Sequence, residues 1–152
     1  MALPSSGALS LNQIQTEFGG SNPISLSEYY SVAGGVPSSG TISINNFYGT
    51  SALTLTTNPA NGTDSDLAVG AGNTATATVS ITSNLAVTWS FSLVSGDSGW
   101  VQGSTNSTST SVSISNGGPT ATKSSVIDVT ATIGGVTPVT TRVTITASWA
   151  SA

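Results

Sequence analysis

The sequence predicts a mainly β fold, with a two-sheet sandwich in its last two-thirds and a segment of short capped helices before it. Two patterns carry that prediction. From Ala52 onward, apolar residues alternate with Ser and Thr over several runs of strand length. Ahead of that point, three phrases of one form recur at Leu9, Ile24 and Ile42, each followed some residues later by glycine. The change of pattern divides the chain into a module over 1–50 and a sandwich over 51–152.

In the sandwich, "LAVTWSFSL" puts Leu85, Val87, Trp89, Phe91 and Leu93 on one face, with Trp89 central on that inward face, where such folds often keep a core tryptophan. "TATATVSIT" turns Ala75, Ala77, Val79 and Ile81 inward. "VIDVTATI" does the same for Ile127, Val129, Ala131 and Ile133, and "VTTRVTITASW" for Val139, Thr141, Val143, Ile145, Ala147 and Trp149. Gly134-Gly135 between the last two suits a tight hairpin. Shorter strands are expected at 53–57, near 100–102 and at 110–115. About seven strands in about 100 residues match an immunoglobulin-like sandwich in number and size. The cysteine pair of antibody domains is absent.

The phrases "LSLNQI", "ISLSEY" and "ISINNF" read as helix starts. Ser10, Ser25 and Ser43 are placed to accept from free first-turn N–H groups. Gln13 and Glu28 can reach back to the serine N–H, and the shorter Asn46 does so less well. Leu9, Ile24 and Ile42 would staple onto Ile14, Tyr29 and Phe47. Gly19, Gly34 and Gly49 suit left-handed stops, so each unit is expected to be a helix of about two turns. "PSSG", at Pro4 and again at Pro37, feeds two of the three.

Three short helices in some 50 residues bury too little apolar area to stand alone. Leu11, Ile14, Phe18, Leu26, Tyr29, Tyr30, Phe47 and Tyr48 are therefore expected to be covered by another protein. The plain alternative is a small helical cap packed on its own sandwich.

Charged residues are 5% of the chain, against about 25% in ordinary soluble domains. With Lys123 and Arg142 as the whole basic complement, neither a nucleic-acid backbone nor an anionic membrane would find counter-charge. No apolar run is long enough to span a bilayer. The absence of Cys and His removes disulfides, thiolate and imidazole metal sites, and the common nucleophile–base pairs. The remaining acids are too scattered for a catalytic pair, so no enzymatic activity and no cofactor are expected. Asp64 and Asp66 in "NGTDSDLAVG" are the best cation ligands but lack a complete calcium loop, and a solvated turn is the expectation there. Trp100 beside Asp97 in "SGDSGWVQG" could stack on a sugar and bind its hydroxyls; a ring packed over the core end is the alternative.

The order of phrases "LPSSGALSLNQIQTEFGGSNPISLSEYYS…VPSSGTISINNFYG" resembles the N-terminal module of structural proteins from tailed bacteriophages, notably those of marine and photosynthetic bacteria. The resemblance covers the first third of the chain. It implies a particle-attachment piece carrying a displayed immunoglobulin-like domain, in a virion component assembled in the host cytoplasm. The implied partners are other virion proteins in a symmetric multi-copy assembly, with a host-surface glycan as a further ligand. A tail or fibre-base position comes first, and capsid decoration or a head fibre second. A carbohydrate-binding or adhesin module is the rival from another class; an adhesin would carry an export signal, which the first residues do not resemble.

Overall fold

The computed structural model describes residues 2–68, 74–117 and 122–151; the side chains of 63–68 and 149–151, among them Asp64, Asp66 and Trp149, lie outside the description. The chain forms two compact units: 1–54 with 132–139, and 55–131 with 140–152.

The second unit is a sandwich of two four-stranded sheets. Its strands are β1 (Leu55–Asn58), β2 (Gly62–Ala68), β3 (Ala75–Ser83), β4 (Thr88–Gly96), β5 (Trp100–Gln102), β6 (Ser109–Asn116), β7 (Lys123–Thr132) and β8 (Val139–Ser151). One sheet runs β1-β3-β6-β5 and the other β2-β8-β7-β4. This is the immunoglobulin arrangement of seven strands, with the first broken in two. Its first half, β1, pairs antiparallel with β3, and its second half, β2, crosses over to pair parallel with β8. Gly62 opens the crossing at a point of close backbone approach: a Cβ there would lie 2.9 Å from the Thr78 carbonyl oxygen. The Asn61 side-chain oxygen accepts from Thr144 N (3.1 Å) and ties the crossing to β8.

Strict alternation builds the core. Ala75, Ala77, Val79 and Ile81 of β3 meet Val112 and Ile114 of β6 across the interior from Ile127, Val129, Val143, Ile145 and Ala147, all of them buried. On the outward face Thr76, Thr78, Ser80 and Thr82 stand opposite Ser115, Ser113, Ser111 and Ser109.

Three expectations need correction. The stretch around Asp64 and Asp66 is strand, not a turn. Trp89 is half-buried at the margin of the core rather than at its centre, and its indole N–H donates to the Asn106 carbonyl (2.9 Å). Leu93 is 39% exposed. Both residues lie on β4, an edge strand, which has a neighbour to pack under on one side alone.

The first unit holds helix α1 (Leu11–Phe18) and two single 3₁₀ turns, Leu26–Tyr29 and Ile44–Phe47. Only the first phrase makes the expected two-turn helix. The other two stop after one turn because Tyr30 and Tyr48 take extended backbone. Gly19 and Gly49 have positive φ, as a left-handed stop requires; in the middle phrase Gly35, not Gly34, does.

Candidate docking module

The three phrases converge on one small core. Ile14, Tyr29 and Phe47, at the same place in each phrase, are 0%, 1% and 0% exposed. They pack with Leu3, Ala33 and Val36. The Tyr29 ring meets Phe47 edge-on at 6.0 Å, and Phe18 lies 6.2 Å from Phe47. This corrects the expected interface: Ile14, Tyr29 and Phe47 are interior residues of their own module and present nothing to a partner. Leu11, Phe18, Leu26, Tyr30 and Tyr48 are half-buried around them. Six buried residues suffice here because backbone bonds knit the segment's ends: Leu3 N donates to Thr50 O (2.8 Å) and Gly49 N to Pro4 O (3.0 Å).

Capping is uneven in an informative way. Ser10 and Gln13 form the full box, with Ser10 N donating to Gln13 Oε1 at 2.8 Å. Ser43 N donates to Asn46 Oδ1 at the same distance, so the shorter side chain caps as well as the longer one. Glu28 does not cap Ser25. Its carboxylate accepts from Ser21 N (3.3 Å), while Ser25 Oγ accepts from Ser27 N.

A second repeat accompanies the caps. The words "YYS" and "FYG" end the second and third phrases. In both, the second aromatic residue reaches a PSSG loop. The Tyr48 hydroxyl donates to Gly7 O (2.6 Å) and the Tyr30 hydroxyl to Gly40 O. The next residue, Gly49 (φ 68) or Ser31 (φ 59), then donates its N–H to the proline that opens the same loop, Pro4 or Pro37. Each PSSG loop is therefore gripped at both ends by one Tyr-Gly or Tyr-Ser pair. Ser5, Ser6, Gly7, Ser38, Ser39 and Gly40 are left exposed between the grips. A separate bond links the second phrase to the end of the first: the Tyr29 hydroxyl donates to Gly19 O (3.1 Å). Burial of that ring, with the Glu28 carboxylate nearby, pushes the Tyr29 phenol above its usual value. Beside the first loop a hollow of ≈ 240 Å³ is lined by Ala2, Leu3, Pro4, Gln13, Thr16 and Glu17.

Sequence reasoning identified the phrases but not the clamps. Their signal was present in the paired words "YYS" and "FYG", but which loops the two hydroxyls would reach depends on the fold: Tyr48 and Gly7 are 41 residues apart.

The remaining candidates have structural partners. The Asp97 carboxylate accepts from Ser124 N (2.8 Å), and its carbonyl accepts from Ser125 Oγ (2.6 Å). Trp100 is half-buried, packed on Phe91 at 6.0 Å and against the core. Among the described residues no group of three or more acidic, His or Cys side chains is placed to hold a metal. No described helix is long and apolar enough to cross a membrane. Comparison with protein-family models, curated proteins and solved structures finds no match to the chain.

Proposed function

We propose that this chain is a non-enzymatic structural protein of a tailed-phage particle, whose first unit docks onto a neighbouring virion protein while the immunoglobulin-like domain is displayed. One observation carries the proposal. The two PSSG phrases, among the most distinctive words of the phage resemblance, are held as exposed loops by the same Tyr clamp used twice. Pre-ordered loops spare a partner the entropy of fixing them, which is how a small surface gains affinity. Around them Leu11, Phe18, Leu26, Tyr30 and Tyr48 supply partly exposed apolar area. The docking face is thus the rim and loops of the module, not its interior. A tail or fibre-base position is placed first and capsid decoration second.

The test is incorporation of the full-length chain into particles. Leu26→Glu and Ser38→Lys put charge on the rim and on a clamped loop, and each is expected to reduce incorporation at least tenfold. Ser38→Lys leaves the circular-dichroism melt unchanged, and Leu26→Glu, whose side chain packs on the module core, lowers it while the chain stays folded at the assay temperature. Thr78→Lys, on the exposed sandwich face, should incorporate normally. Normal incorporation of both rim variants would refute docking through this surface.

A further inference from the structure

The sandwich has four sheet edges, and three of them carry a feature that discourages pairing with another strand. The first, β1, is four residues long and runs straight into Pro59. The second, β5, is three residues long. The third, β2, bears Asp64 and Asp66. The fourth edge, β4, has none of these. It is nine residues long, "TWSFSLVSG", without a charge or a proline.

Two exposed large hydrophobics also lie on this edge. Among the described residues the exposed large hydrophobics are Leu93 (39%), Val94 (43%) and Val101 (60%). The first two are on β4, and Val101 is on β5, the neighbouring edge of the other sheet. The turn at Asp97 joins the two strands, and the Phe91–Trp100 contact places them side by side. The loop at Asn106 and Ser107 bonds near the start of β4, to Trp89 Nε1 and Val87 N, and among the described residues no other strand pairs with this edge.

From these features we infer that β4 is a self-pairing edge: two copies of this chain join antiparallel through β4 about a twofold axis, continuing the sheet and covering Leu93 and Val94. Charge selects a second copy as the occupant. The chain carries a net charge of −4, so most approaches of one copy to another are opposed. At β4 the strands meet without an ionised group, and the one nearby acid, Asp97, is occupied by Ser124 N. An antiparallel twofold pair is self-complementary by construction. Size sets the strength. A strand of this length runs about 30 Å and the two sheet edges lie about 10 Å apart. With flanking side chains the wall offers on the order of 600 Å² per copy, short of the roughly 800 Å² of a standard interface. The dimer is therefore weak and forms at high local concentration, the condition that a multi-copy assembly creates.

The test is sedimentation equilibrium on the full chain across a concentration series reaching about 1 mM, the weak end of measurable affinity. A monomer–dimer equilibrium is expected, with Val94→Lys raising the dissociation constant at least tenfold and Thr78→Lys, of equal charge on an exposed sheet face, changing it less than twofold. Because the chain has no cysteine, Leu93→Cys supplies a unique thiol, and mild oxidation should trap a covalent dimer. A chain that stays monomeric throughout, or a dimer indifferent to Val94→Lys, would overturn the inference. Neither result bears on particle docking, which uses other residues.

Discussion

Tyr30 and Tyr48 each make one hydroxyl bond to a glycine carbonyl, and those two bonds distinguish ordered loops from mobile ones. Removing a single hydroxyl while keeping the ring costs about 0.5–1.5 kcal/mol. Tyr48→Phe should lower stability by that amount in urea unfolding and raise amide exchange at Ser5 to Gly7. Gly96 is a harder constraint. Its φ is +94°, and a Cβ would lie 2.1 Å from the Ser124 carbonyl oxygen, an atom fixed by its bond from Asp97 N. Gly96→Ala is expected to cost more than about 3 kcal/mol, the sum of strain and displaced backbone, read as a fall in melting temperature. Asp128 gives a pH signature. Hydrogen bonds from Arg142 Nε and Nη2 (2.7 and 2.8 Å), with the guanidinium charge behind them, hold its carboxyl below the ordinary value. The folded value lies below the unfolded one, so this stabilisation is present above about pH 4 and fades as pH falls through the folded value. Asp128→Asn should flatten that acid limb in a plot of melting temperature against pH. Tyr29 acts at the other end, since its raised phenol contributes stability below about pH 10 that is lost as the pH rises further.

At the scale of elements, local chemistry was readable wherever it acted locally. The caps at Ser10 and Ser43 follow from residue type and spacing, and Asn46→Ala should cost about 1 kcal/mol by thermal unfolding, as loss of a cap does. Helix length was not readable, because extended backbone at Tyr30 and Tyr48 serves their distant glycine partners rather than their neighbours. Alternation gave β3 with all four of its inward residues, and β7 and β8 with Ile127, Val129, Ala131, Val143, Ile145 and Ala147 buried as expected, while Ile133, Val139 and Thr141 are half-buried; β6 was expected as a short strand without an assigned face. Alternation missed β2, whose "GTDSDLA" has one large apolar residue. That strand exists through its parallel partner β8, a tertiary cause that overrides its poor intrinsic preference. Trp89 and Leu93 were placed too deep for the related reason that edge or centre is a property of strand order, which no single strand encodes.

At the scale of the molecule, area alone suggested that the first fifty residues could not shelter their own rings. They do shelter Ile14, Tyr29 and Phe47, because three phrases contribute one residue each to a shared centre and the chain's return to Leu3 and Thr50 closes it. What is left for a partner is the rim and the two clamped loops. The most direct measurement is hydrogen–deuterium exchange on the full chain, free and then assembled in particles. Docking through the module predicts new protection across residues 4–48, in α1, the two 3₁₀ turns and both PSSG loops. Protection gained on the sandwich strands, with that stretch unchanged, would contradict it.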